Sequence, residues 1–219
     1  MLKDIPVFDT ETGVSTLILK EIPYKQVAYV KVQSVQPDGL REHLRECVSF
    51  CRMCGAERVL ASGHEELDAW PLHSSIIPMA RLLGACDDPG ANLFPVTEQT
   101  VQNWRAIYNK KMSAVDNAAT LTARDEKEIL AGGAYFVHEA GELLGIGWMK
   151  GSEVSCIAAV KPGAGERVLR TLMTLADSDR VHLEVASSNT RALRLYERMG
   201  FLQTGEPRKW YAVYEGGNA

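Results

Sequence analysis

Long hydrophobic runs are missing from this chain: no stretch of its 219 residues approaches the roughly 20 apolar residues that a membrane-spanning helix needs. The N-terminal residues, MLKDIPVFDTETG, lack the apolar centre of a secretory signal. Positive charge is not in excess either. Lys and Arg total 24 against 28 Asp and Glu, a formal net charge of −4, so the electrostatic footprint of a nucleic-acid binder is lacking. Cysteine is scarce and odd in number, five in all, which argues against a secreted disulfide framework. The expectation is a cytoplasmic protein with neither membrane nor nucleic-acid partners. The length suffices for one large domain or two small ones with a real core.

The most informative stretch runs from Val154 to Phe201. Val154 to Val160 is almost all small or apolar and reads as a buried strand. Lys161-Pro162-Gly163-Ala164-Gly165 breaks it and opens a helix whose Leu169, Leu172, Met173 and Ala176 form one stripe. Val181, Leu183 and Val185 alternate as a second strand. Ser187 to Thr190 offers N-caps for a further helix with Ala192, Leu195 and Met199 on its apolar face and Gly200 at its end. Strand, crossover helix and strand make a right-handed unit with parallel strands. Gly163 and Gly165 leave the first amides of the crossover helix bare at the positive end of its dipole, a site suited to phosphate, although a tight turn alone would also explain them.

Asn189, Ala192, Leu195, Tyr196, Gly200 and Phe201 stand in the pattern N-x-x-A-x-x-L-Y-x-x-x-G-F. This resembles the closing motif of the GNAT superfamily of acyl-CoA-dependent acyltransferases, closely over Val154 to Phe201 and more loosely from Asn92 to the end. The resemblance implies an α/β (α+β) fold, a mostly antiparallel twisted sheet flanked by helices, with a smaller N-terminal α/β unit. It also implies acetyl-CoA as cosubstrate and a primary amine, of a small molecule or a protein, as acceptor. On that basis Ile157, Ala158, Ala159 and Val160 would bond the pantetheine arm. The amides of Gly163, Ala164, Gly165, Glu166 and Arg167 would take the pyrophosphate. Asn189 would lie near the arm, and Tyr196 would donate a proton to the departing thiolate; a packing role also fits this tyrosine. Glu153 and Glu184 are the candidate bases, with His182 behind them, though each also reads as a solvated strand residue. Asn109, Asp116 and Asn117 are candidates for the acceptor side. One departure stands out: Val160 occupies the place where the family's loop carries Gln or Arg, leaving Lys161 as the only nearby cation. A non-catalytic acyl-CoA-binding or sensing module is therefore the alternative function.

The remaining segments organise around this unit. Thr16 to Glu21, Gln26 to Val32 and Glu57 to Ala61 read as strands, with helices over Gly39 to Cys54 and Trp70 to Leu83. The order suggests a degenerate half-repeat in residues 1–90, followed by the acyltransferase domain in residues 91–219. Gly84 to Pro95 is the linker candidate. Thr97 caps a helix with Val101, Trp104, Tyr108 and Met112 on one face, and Thr122 to Asp125 matches a capping box for a short helix ending near Leu130. Gly133 to His138 and Glu142 to Met149 read as strands, and the tail from Phe201 to Tyr214 as a closing hairpin bent at Gly205-Glu206-Pro207.

Cys47, Cys51 and Cys54 have the C-x3-C-x2-C spacing that resembles the iron–sulfur signature of radical SAM enzymes. They also fall at i, i+4 and i+7 of a helix, beside Leu44 and Val48, where free cysteine is a common small core residue. The second reading is adopted, and no metal is expected there. His64, His73, Glu65 and Glu66 lack regular ligand spacing and read as solvated or locally bonded.

Overall fold

The computed structural model of the chain describes residues 3–84 and 91–216. They form two compact units: one runs to Ser75 and resumes at Arg208, and the other is Ile76–Pro207.

In the first unit, β1 (Ile5–Asp9), β2 (Gly13–Ile18) and β3 (Val27–Val35) form an antiparallel meander, with the four-residue α1 (Ile22–Lys25) in the β2–β3 connection. Pro23 and Tyr24 thus lie in a short helix, and Glu21, expected in a strand, precedes it. Helix α2 (Leu40–Met53) then crosses over to β4 (Arg58–Ser62), which pairs parallel with β3. Leu40, Leu44, Cys47 and Cys51 form the buried stripe of α2, and Cys54 is half-buried at its C-cap. Burial pushes the Cys47 and Cys51 thiols up to about 11 and about 12, so both stay protonated and apolar in character.

His43 shares that interior with no exposed surface. Its Nδ1 lies 2.8 Å from Thr10 Oγ1 and its Nε2 2.7 Å from Ser15 Oγ, so the ring ties α2 to the β1–β2 hairpin. Burial holds the imidazole pKa below its usual value, and Glu46 offsets part of this. The unfolded chain therefore takes up a proton near the ordinary histidine pKa of about 6.5, while the folded chain resists it. Stability contributed here is present above that pH and is lost as pH falls toward the folded-state pKa, by up to about 1.4 kcal/mol per pH unit. Urea unfolding at pH 7.5 and pH 5.0 should show this loss, and His43→Gln should flatten it. An unchanged slope in the variant would place the titrating group elsewhere.

The segment expected as a helix over Trp70 to Leu83 is instead a strand, β5 (Leu72–Leu82), preceded by a 3-10 turn at Glu65–Ala69. Leu72, Ile76, Met79 and Leu83 mimic a helical period, but Pro78 in the middle would cost a helix about 3 kcal/mol. In the strand, Pro78 needs no donor: its carbonyl accepts the Thr204 N–H at 3.0 Å.

The second unit begins within β5. The linker candidate is also corrected, since β6 (Asn92–Pro95) is a strand; residues 85–90 of that stretch lie outside the described residues. Helices α3 (Val101–Met112) and α4 (Glu126–Leu130) follow, and Asp125 Oδ2 accepts the Thr122 N–H and hydroxyl just before α4. The meander β7 (Ala134–Glu139), β8 (Glu142–Lys150) and β9 (Glu153–Ala159) leads through α5 (Gly165–Met173) to β10 (Arg180–Ala186), parallel to β9. This repeats the order and pairing of β1-β2-β3-α2-β4. On one face of the meander, Val168, Leu169, Leu172 and Met173 of α5 bury against Val137, Leu144 and Val154. On the other, Trp104 of α3 packs on Ile146, Trp148, Cys156 and Ala158 and donates its indole N–H to Tyr135 O at 3.0 Å.

Helix α6 (Thr190–Arg198) ends in a Schellman motif. Gly200 takes φ +82°, its N–H bonds Glu197 O at 3.0 Å, and the Phe201 N–H bonds Tyr196 O at 3.0 Å. The tail is not a hairpin. β11 (Leu202–Gln203) pairs with β5 and β12 (Arg208–Glu215) pairs with β4, and beyond the Gly205-Glu206-Pro207 bend the two strands do not pair with each other. The first unit thus completes its sheet with a strand supplied from beyond its contiguous core, and the second with its own first residues. β12 closes the first unit beside β4, and β5 lies antiparallel to β10 from Ile76↔Ala186 to Leu82↔Arg180.

Candidate active site

β8 and β9 pair from Lys150↔Glu153 to Gly145↔Ala159, but β9 and β10 pair only at Glu153↔His182 and Val154↔Leu183. Beyond Val154 the two parallel strands part, and β9 has no strand partner on that side. The gap widens into a cleft of about 610 Å³. Its walls are the end of β9 and the loop that follows it, the start of α5, one face of α6, and the end of α3.

Of the residues expected at the cofactor, Ile157, Ala158, Ala159 and Val160 line this cleft, as do Gly163, Gly165, Glu166, Asn189 and Tyr196. Gly163 holds φ +84°, which a side chain disfavours, although no atom lies within 4 Å of where its Cβ would stand. Gly165 has a different role: a Cβ there would meet Leu195 Cδ2 at 3.1 Å, so this glycine sets the close approach of α6 to the start of α5. No side chain caps α5, whose N-cap is Ala164. The first amides, at Gly165 and Glu166, have no carbonyl of a preceding turn to bond and stand at the positive end of the helix dipole.

Asn189 caps α6, its Oδ1 accepting the Ala192 N–H at 3.2 Å. One and two turns on, Ala192 and Tyr196 share the cleft face. Tyr196 is only 6% exposed and packs 5.8 Å from the Phe201 ring. Burial, with the buried Cys156 thiol as a lesser cause, raises the phenol pKa far above its ordinary value. Its hydroxyl makes no hydrogen bond among the described residues, so Tyr196 presents a neutral, uncommitted donor to the cleft.

Other expected residues lie elsewhere. Ala164 and Arg167 do not line the cleft, and Arg167 pairs with Glu139 of β7. Glu153 stands at the far end of β9, opposite Lys150 and His182. Glu184 is an exposed residue of β10 opposite Pro78. Neither glutamate lines the cleft: Glu153 lies at the paired start of β9, and Glu184 is on the exposed face of β10, between buried Leu183 and Val185. Asn109, Asp116 and Asn117 are absent from its walls too. The Asn109 carboxamide bonds the Leu121 N–H at 2.9 Å and the Leu121 carbonyl at 2.8 Å, holding the loop after α3. Among the described residues no group of three His, Cys, Asp or Glu side chains is arranged to hold a metal, and His64 Nδ1 accepts the Glu66 N–H at 3.3 Å.

Sequence reasoning missed Lys111, Met112 and Val115, which reach the cleft from the end of α3 and the turn beyond it, and Arg191, Arg194 and Arg198 on α6. The arginines were detectable, since i, i+3 and i+7 share a helix face. Nothing local marks Lys111 or Met112.

The Acetyltransferase (GNAT) family model matches residues 92–201, half of the chain. N-alpha-acetyltransferase RimI of Mycobacterium tuberculosis is 43% identical over 51 residues, 23% of this chain and 32% of that protein. The match therefore spans about a third of this curated relative. A GCN5-related N-acetyltransferase from Sphaerobacter thermophilus superposes with a TM-score of 0.58 at 15% identity, covering 95% of this chain and 79% of its own. Another, from Kribbella flavida, gives 0.57 at 14% identity, covering 94% and 90%. At such identities the likeness speaks for the fold alone. No described helix is long and apolar enough to cross a membrane. The match over residues 92–201, the segment whose central strands part and whose α6 brings Tyr196 to the cleft, establishes that the chain belongs to the GNAT family of acetyltransferases.

Proposed function

We propose that the protein transfers an acetyl group from acetyl-CoA to a primary amine by direct attack. The observation that carries this is the parting of β9 from β10 at Val154, which opens a cleft onto the bare amides of α5. The unpaired edge of β9 is suited to strand-like hydrogen bonds with the pantetheine arm, and the amides at Gly165 and Glu166 to the pyrophosphate. Acetyl-CoA supplies the activated thioester. The acceptor nitrogen bonds the thioester carbon, the C–S bond breaks, and the Tyr196 hydroxyl donates to the sulfur as it takes up charge. Among the described residues, Glu166 is the only carboxylate lining the cleft, and it is paired with Arg170 at 3.0 Å. We therefore assign no side-chain base: the acceptor reacts as its free amine and loses its proton to water, and Tyr196 regains a proton from water after the thiol leaves.

An α-amino group, with a pKa of about 7.7–8.0, keeps a useful fraction of free base near neutrality, whereas a lysine amine at about 10.4 does not. The name of the RimI relative points the same way. Four free cysteines among the described residues fit a reducing compartment and support a cytoplasmic site of action.

Calorimetry with CoA and turnover of acetyl-CoA against a panel of peptides and small amines test this reading. Binding with turnover is expected. Binding with no turnover on any amine would favour the non-catalytic acyl-CoA module, which the Val160 departure keeps open. No binding would remove both.

A further inference from the structure

We infer that Arg191, Arg194 and Arg198 of α6, with Lys111 of α3, form an anion subsite in the cleft. This deepens the acetyl-CoA reading and rests on it. The loop's own cation, Lys161, is committed to Glu142 on β8, whose carboxyl it holds below the usual range. Val160 adds no charge. The positive charge in the cleft must therefore come from other elements.

Arg191, Arg194 and Arg198 fall on one face of α6 and line the cleft over about 10 Å of helix. None of the three, nor Lys111, has an ion pair or side-chain hydrogen bond among the described residues. That sets them apart from Arg105, Lys150, Arg167 and Arg170, each of which meets a carboxylate. Glu166 brings the cleft's lone negative charge among its described walls, and Arg170 already answers it. Four uncompensated cations facing one gap repel one another, a cost that a bound anion removes. Guanidinium groups match the oxygens of phosphate and carboxylate in pairs. The unpartnered Tyr196 hydroxyl, on an almost wholly buried side chain in the same wall, independently marks the gap as a ligand site.

The ligand chemistry is thus a phosphate or carboxylate oxyanion. It can be the cofactor's 3′-phosphate, its diphosphate, or an acidic group on the acceptor. Calorimetry on the full chain with adenosine 3′,5′-bisphosphate, CoA and 3′-dephospho-CoA separates these sources. Neutralising the row (Arg191→Gln, Arg194→Gln, Arg198→Gln) should weaken binding roughly tenfold or more, and Arg180→Gln, at the other end of β10, should not. Weaker binding of CoA but not of 3′-dephospho-CoA would assign the row to the 3′-phosphate. Equal weakening of both would assign it to the diphosphate. Unchanged cofactor binding with a raised KM only for an acceptor bearing a carboxylate would assign it to the acceptor.

The single variants, each at an exposed position, provide the same readout if the triple variant folds poorly. Parent-like affinity and KM for every probe would overturn the subsite. Arginine-dependent binding without acetyl transfer would leave the subsite standing and remove the enzymatic reading instead.

Discussion

Tyr196→Phe is expected to lower kcat by roughly one to three orders of magnitude, the usual range for losing an acid catalyst. The change removes one hydroxyl and keeps the ring that packs on Phe201. Because that hydroxyl bonds nothing among the described residues, folding stability should hold or rise slightly. KM for acetyl-CoA should change little, since the lost interaction forms mainly as the sulfur becomes charged. Burial keeps the phenol protonated. Burial also raises the nearby Cys156 thiol, and a thiolate formed in the same surroundings gains basicity in the same direction. The pH profile follows from the same environment. A phenol raised this far stays in its donating form throughout the accessible alkaline range. The rate should therefore climb with deprotonation of the acceptor amine, with no descending limb from Tyr196. Normal turnover by the Phe variant would return Tyr196 to a purely packing role and leave protonation of the thiolate to water.

A fragment of residues 91–219 should fail to fold cooperatively, although it contains the whole family-matched segment. It lacks Ile76–Leu82 of β5, which pairs with β10 at seven positions. It also loses Met79 from the core that holds α5 and α6. Without β5, β10 keeps only its two pairings with β9, leaving Val181, Leu183 and Val185 on an open edge prone to association. At the other end of the fragment, β12 keeps neither β4 nor the Pro71 carbonyl, which accepts the Ala212 N–H at 2.9 Å. Circular dichroism melts should show no cooperative transition, whereas residues 76–207 should retain one. A sharp melt with CoA binding by residues 91–219 would make β5 dispensable and support the domain boundary near residue 90 that the sequence suggests.

Local pattern determined the elements whose signal lies within a few residues. The stripe of Leu169, Leu172 and Met173 specifies α5, the alternation of Val181, Leu183 and Val185 specifies β10, and Asn189 with Gly200 marks both ends of α6. The Gly163 turn was legible in the same way, because a positive φ is a property of neighbouring residues, whereas the expectation for Tyr196 rested on the resemblance to the GNAT closing motif. Partners distant in the chain were decided only by the tertiary structure. Residues 72–82 carry a helix-like period, and β10 on one side with β11 on the other makes them a strand. The tail reads as a hairpin, yet its two strands do not pair with each other: β11 joins β5 and β12 joins β4. Glu153 and Glu184 satisfy the chemistry of a base on paper. Glu153 sits at the paired start of β9 and Glu184 on the exposed face of β10, so both stay away from the cleft, whereas α3 and α6 bring Lys111 and three arginines to it. Side-chain periodicity encodes which face of an element is buried; which element buries it depends on contacts across scores of residues, which no local spacing records.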